Sequence, residues 1–366
     1  MEKRLKERFL CFIVSIFIII VVIIGVFSPK KEFSSAERRK FADFPKLSVE
    51  EVLSGKFMKE FEKYTLDHFP FRETFRNLKS ATASHLFLQK DLHKLYLQDG
   101  YICAMEYPMN EDSIQRAASR FHFIYEQYLS EDNQVYLSVI PDKNLFLAKK
   151  SGHLSMDYAK FEKEMQKRCG FATYLPISPL LKIEDYYKTD THLRQEKIGE
   201  VAEFLLEHMH AETGTEDYKI KKATDDFYGV YHGQLALPQK PESLYYLENE
   251  KMKEFQVYDG QNQKEIPLYD LKKAEGKDPY ELFLGGPLSL VTIENPHAKS
   301  DRNLVVFRDS FASAIAPLLA EGYAKVTLVD IRYIHPSYLE QFVSFDNADV
   351  LFLYSTLVLN NSSTIK

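Results

Sequence analysis

The last hundred residues alternate between two hydrophobic periods, and this alternation restricts the fold more than any other feature of the chain. Residues 304–307 read as a strand, 311–321 as a helix, Lys325–Val329 as a strand, 335–342 as a helix and 350–354 as a strand. Apolar strands separated by helices need crossovers that return to the same sheet. Such crossovers are right-handed, so the expectation is an α/β fold with a mostly parallel sheet flanked by helices. Reactive groups in such folds lie beyond the carboxyl ends of the strands. The upstream pattern agrees. Residues 111–130 and 157–168 suit helices, and Val135–Ile140 suits a buried strand ended by Pro141-Asp142-Lys143. Residues 193–211 suit a long helix with Ile198, Val201, Phe204 and Leu205 as its apolar stripe. Residues 214–283 are rich in Tyr and turns, and read either as an inserted lobe or as irregular connections.

The N-terminus imposes a second constraint. Residues 9–27, FLCFIVSIFIIIVVIIGVF, form an uncharged run of 19 residues, close to the ~20 that span a bilayer as a helix. A cleaved signal peptide carries a shorter apolar region of about 7–15 residues and a small-x-small cleavage site. Gly25-Val26-Phe27-Ser28 offers no such site, so a retained anchor in the cell membrane is expected. Lys3, Arg4, Lys6 and Arg8 precede the run, whereas Lys30, Lys31, Arg38, Arg39 and Lys40 follow it. Flanking charge alone therefore does not orient the span, but a large downstream domain translocates largely regardless of charge. The reading is a cytoplasmic tail at residues 1–8, a single-pass anchor at 9–27 and the bulk of the chain outside the cell. Residues 28–80 would form a stalk and a helical region, with helices over 49–64 and through Phe87, interrupted at Pro70. Residues 81–366 would form the α/β domain.

Composition narrows the partners. The net charge is −6 with no basic face visible in the sequence, which argues against nucleic acid. No Cys/His cluster has zinc spacing, and His208 and His210, two apart on a helix, point to different faces. No cofactor is expected. Cys103 and Cys169 could form one disulfide outside the membrane, but sequence does not show that they meet.

Three segments could carry chemistry. Ser310 follows the strand NLVVF and precedes FASAIAPLLAE. A hydroxyl there would sit at a strand end beside free helix N–H groups, where an oxyanion is stabilised. Alternatively, Asp309 or Ser310 simply caps the helix. Asp190-Thr191-His192 supplies a carboxylate and an imidazole two residues apart, the pair that activates a hydroxyl nucleophile. It also reads as an ordinary cap with a surface histidine. Gly285-Gly286 could bring a backbone N–H to an oxyanion, or could be a turn. Asp67, His68 and Arg72 form a further polar group, read mainly as a helix-breaking turn in which Arg72 pairs with a core carboxylate.

In order along the chain stand ERRKFADFPKLSVEEVLSGKFMKEFEKYTLDHFPFR, IPDKNLFLA, YKTDTH, FLGG, VVFRDSFASAIAPLL and VTLVDIRY, covering residues 37 to 333. With the N-terminal anchor, this series resembles the DHHW family of bacterial envelope proteins. That family is similar to the alginate O-acetylation proteins, whose catalytic domains are SGNH hydrolase-like and carry an Asp-x-His pair before the serine. The resemblance implies Ser310 as nucleophile, His192 as general base and Asp190 as its orienting partner, with the backbone N–H groups of Gly286 and Ser310 as oxyanion donors. It further implies acetylation or deacetylation of a cell-envelope polysaccharide, with an acyl donor or membrane acyl-transfer partner. The alternative is a non-catalytic polysaccharide-binding or envelope assembly module. Some positions depart from the family pattern. Leu193 stands where the naming motif has an aromatic, Arg308 where many serine blocks have Gly, and Pro287, with no N–H to donate, where related chains can offer a polar side chain.

Overall fold

The computed structural model describes residues 2–34, 37–213 and 218–366. Ser35 and Ala36 of the expected stalk, and residues 214–217 at the start of the expected lobe, lie outside the described residues. The chain forms two compact units, residues 1–92 with 233–238, and residues 93–232 with 239–366.

The first unit opens with helix α1, Glu2–Phe27. Its segment Lys6–Gly25 is long and apolar enough to cross a membrane, and none of that segment is buried against protein. The helix expected over 49–64 is divided into α2, Val49–Leu53, and α3, Lys56–Asp67. Gly55 lies between them with φ +74°, a conformation that glycine adopts without steric cost. Pro70 ends α3 as expected, and α4 follows at Arg72–Ala81, continuing as a π turn over Thr82–Leu86. Asp67, buried at the end of α3, accepts both Arg39 terminal nitrogens, at 2.9 and 2.5 Å, and the Ala42 amide at 2.9 Å. The Arg39 guanidinium holds the Asp67 carboxyl below the ordinary carboxylate range. Arg72 reaches Glu37 at 2.8 Å and Asp67 at 3.8 Å. Asp67 and Arg72 thus belong to an ion-pair clasp joining the chain near residue 40 to the α3–α4 turn, and His68 Nε2 adds a contact of 3.1 Å to the Ala42 carbonyl.

The second unit is built on an eight-stranded sheet. Its strands are β1 Val135–Ile140, β2 Thr173–Tyr174, β3 Gln256–Asp259, β4 Lys264–Ile266, β5 Leu290–Glu294, β6 Asn303–Arg308, β7 Lys325–Val329 and β8 Ala348–Ser355. Across the sheet they lie β4-β3-β5-β7-β6-β8-β1-β2. The five strands from β7 to β2 are parallel, and β5, β3 and β4 add an antiparallel edge. Both faces are covered, which explains why the strands read as unbroken apolar runs. Leu304 and Val306 of β6 pack with Val201 and Leu205 of helix α7, Gly199–His208. Val305 and Phe307 pack on the other face with Ile114 and Phe121 of α5, Glu111–Tyr128, and Phe161 of α6, Tyr158–Arg168.

The helices differ from expectation in three places. Residues 311–321 fall into short pieces at Ser310–Ser313, Ala316–Leu319 and Ala320–Gly322. Pro317 has no N–H for the preceding turn, so one α-helix cannot run through it. The helix expected from residue 193 begins only at Gly199, because Leu193 bridges Tyr186 in an extended pairing. It ends at His208, leaving His210 outside with φ +56°. Residues Pro336–Gln341 form a 3₁₀ segment. Cys103 and Cys169 are both free and buried, in different apolar clusters, so the disulfide considered from sequence is not formed. Among the described residues no group of three His, Cys, Asp or Glu side chains is arranged to hold a metal ion.

Candidate active site

The carboxyl ends of β1, β6 and β8 converge on one polar cluster. Asp309, directly after β6, is fully buried and caps the turn that begins at Ser310. Its carboxylate accepts the Phe311 amide at 2.9 Å, the Ser355 amide at 2.8 Å and the Ser355 hydroxyl at 2.6 Å. These bonds tie the β6 end to the β8 end and leave the Ser310 side chain free to point elsewhere. Arg308, in place of the more common glycine, is buried and fastens the same turn. It donates to the Ser313 hydroxyl at 3.1 Å and the Leu288 carbonyl at 3.3 Å. Burial pulls its pKa below the ordinary arginine value.

Ser310 is half-buried, and its hydroxyl lies 2.9 Å from His192 Nε2. His192 Nδ1 lies 2.5 Å from Asp190 Oδ1, which also accepts the His192 amide at 3.1 Å. The remaining oxygen of Asp190 accepts the Val230 amide at 2.9 Å. Asp190 is fully buried and acceptor-only when ionised, so Nδ1 carries the ring hydrogen and Nε2 is left as an acceptor for the serine hydroxyl. His192 and Ser310 are 118 residues apart in the sequence, yet with Asp190 they form one continuous hydrogen-bonded line.

Several groups that sequence reasoning passed over hold this line in place. Lys143, following β1, is buried and donates to the carbonyls of Tyr187 at 2.9 Å, Lys188 at 3.1 Å and Asp190 at 2.7 Å. Burial draws its pKa down, while the three acceptors need all three hydrogens of the ammonium. Glu242 binds the same loop from the other side through the amides of Lys188 and Thr189, at 2.8 and 2.7 Å. Gly229 packs so closely that a Cβ there would lie 2.3 Å from three Asp190 atoms, two of them backbone. The Tyr280 ring stacks on His192 with centroids 3.9 Å apart and an interplanar angle of 7°. An aromatic therefore does pack against the imidazole, but from residue 280 and not from position 193, where Leu193 is a core residue.

The two expected oxyanion donors differ. Among the described residues no acceptor pairs with the Ser310 amide. The Gly286 amide donates to the Phe283 carbonyl at 3.2 Å in a turn with φ +93°. In this conformation it is committed to that turn and is not a free donor.

No family model matches the sequence, and no curated protein matches it. Solved structures do. A DHHW family protein from Eubacterium siraeum superposes with a TM-score of 0.59 at 18% identity, over 74% of this chain and 93% of that one. PatB1 from Bacillus cereus, solved with a sulfonyl adduct, gives 0.59 at 19% identity over 72% of this chain and 95% of that one. A second PatB1 structure gives 0.55 at 20% identity. The chain therefore shares an α/β fold with these structures over 72–74% of its length. Its fold is that of the DHHW family protein and of PatB1, in line with the resemblance carried by the sequence blocks.

Proposed function

We propose that this chain is a membrane-tethered acyl-transfer enzyme of the bacterial envelope, acting through Ser310, His192 and Asp190. The reading is supported above all by the unbroken line from Asp190 through His192 to the Ser310 hydroxyl, with contacts of 2.5 and 2.9 Å. His192 Nε2 takes the hydroxyl proton as Ser310 Oγ attacks the ester carbonyl. Asp190 holds the resulting imidazolium by its Nδ1–H. The Ser310 amide faces the oxygen that becomes negative. Collapse expels the alcohol, which takes the proton from Nε2, and leaves an acyl-serine. A sugar hydroxyl, deprotonated by the same imidazole, then attacks that acyl group; the acyl–Oγ bond breaks, Ser310 Oγ takes the proton back from Nε2, and the acylated sugar leaves, whereas water in the sugar's place makes the protein an esterase. The substrate in this reading is a cell-envelope polysaccharide, with a membrane acyl donor or partner. The apolar segment Lys6–Gly25 serves as a retained tether, with the bulk of the chain outside the cell.

One observation favours a second reading, a non-catalytic polysaccharide-binding or assembly module. The Gly286 amide is committed to its own turn, and Pro287 has no N–H, so the oxyanion is left with one evident donor. Mass spectrometry of the Ser310 peptide after exposure to p-nitrophenyl acetate separates the two. Acetyl on Ser310 is expected. A folded protein with no acetyl on that peptide leaves the binding module as the surviving reading.

The close packing at Gly229 gives a further expectation. Gly229→Ala forces the Asp190 backbone to move, because the atoms it meets cannot rotate away. Turnover of p-nitrophenyl acetate falls about 100-fold, the usual effect of a shift near 1 Å in a catalytic group. Wild-type rates in that variant would show that Asp190 does not position the imidazole.

A further inference from the structure

Helix α4 has its polar side turned inward. Arg72 and Arg76, with side chains only 17% and 20% exposed, pair with Glu37 at 2.8 and 3.3 Å, and Ser80 is buried. The opposite side carries Phe71, Phe75 and Leu78, which are 65%, 45% and 60% exposed. Leu86 and Phe87, at the end of the π turn, are exposed as well, and Phe69 meets Phe75 edge-on at 5.6 Å. A helix facing water shows the reverse arrangement. A contiguous apolar surface of this kind marks contact with a membrane or a partner.

The covalent and spatial surroundings identify which. The Phe69-Pro70-Phe71 turn that opens α4 abuts the end of α1, since a Cβ on Gly25 would lie 3.5 Å from the Pro70 ring. Gly25 is the last residue of the apolar segment, and no part of that segment is buried against protein. The exposed face of α4 thus begins where the span ends, so the lipid that surrounds a membrane-crossing span is at hand to cover the face. Lys30 and Lys31 follow shortly after the span in the chain, and the Lys30 ammonium lies 5.2 Å from the Tyr64 ring, as suits the headgroup layer. We infer that the face of α4 bearing Phe71, Phe75 and Leu78 lies in the interfacial layer of the outer leaflet, in contact with phospholipid. This rests on the tether proposed above. It makes the first unit a membrane-lying element and not a free stalk.

The chain has no Trp, so single tryptophans report without background. Phe75→Trp, Leu78→Trp, Ile18→Trp and Tyr338→Trp are made in the full chain. Each is reconstituted into phosphatidylethanolamine–phosphatidylglycerol vesicles with or without brominated acyl chains. Emission from Phe75→Trp and Leu78→Trp is expected to fall roughly twofold in brominated vesicles and to resist iodide, with Tyr338→Trp behaving oppositely. If iodide quenches Phe75→Trp and Leu78→Trp while brominated lipid does not, the face lies in water and the inference fails. If neither quencher reaches them, protein covers the face, a second copy or another partner, and the inference fails equally. Ile18→Trp separates the two levels. Lipid quenching there but not at Phe75→Trp overturns the interfacial contact alone, whereas no lipid quenching at either overturns the tether as well.

Discussion

Ser310→Ala and His192→Ala are each expected to lower release of p-nitrophenol from its acetate by about 10³-fold or more, with both proteins still folded. The serine change removes one half-buried hydroxyl whose side-chain partner is His192, so it costs little beyond a single hydrogen bond, about 1 kcal/mol. The histidine change is structurally larger because it leaves space against Tyr280. Even so, Asp190 keeps the Val230 amide and the amide of residue 192 as donors, so its buried carboxylate is not stranded. Near-ultraviolet circular dichroism of the many tyrosines checks the fold, and ester turnover checks the chemistry. Because proton transfer and attack are one linked event, the double variant is expected to lose no more than either single one. Wild-type turnover in either single variant would remove the proposed relay.

The parallel part of the sheet was legible because strands buried on both faces must be apolar throughout, as in VYLSVI and NLVVF. The helices were less legible where a residue acts against the local period. Pro317 divides one helix, and the extended pairing of Tyr186 with Leu193 delays another to Gly199. Asp190, His192 and Ser310, which the structure joins by hydrogen bonds, stood out in the sequence because they fall in blocks that resemble a known family; spacing alone allowed helix caps equally well. Their supports could not be read in the same way. Tyr280 sits in an irregular stretch with no period to place it, and Gly229 becomes necessary only once Asp190 is known to lie against it. Nor does an amphipathic pattern say which side is inside. In α4 the charged side is the protein side, because Glu37 and Asp67 await it there. Lys143 was visible only as the end of a strand. A lysine three positions past a strand of six buried residues was the available signal, since a solvated lysine has no need of that position.

Lys143→Met tests the least expected of these supports, and its effect should be large in both stability and activity. Methionine matches the length and apolar stem of lysine but donates nothing. The Lys188 carbonyl would keep the Ile102 amide at 2.8 Å, whereas the carbonyls of Tyr187 and Asp190 would each lose the ammonium. Withdrawing the ammonium from these two buried carbonyls costs roughly 2–4 kcal/mol, which lowers the melting temperature by about 5–10 °C in a domain of this size. The loop then relaxes around Asp190, the residue whose carboxylate aims the imidazole at Ser310. At a temperature where the variant is fully folded, kcat should fall about 10–100-fold with KM little changed, because Lys143 bonds the loop and not the substrate. Lys143→Arg should not restore activity, since a planar guanidinium cannot direct three hydrogens at carbonyls arranged around a single nitrogen. A variant that melts earlier but turns over ester at the wild-type rate would confine Lys143 to stabilising the loop, and would show that the position of Asp190 is set by Gly229 and Glu242 without it.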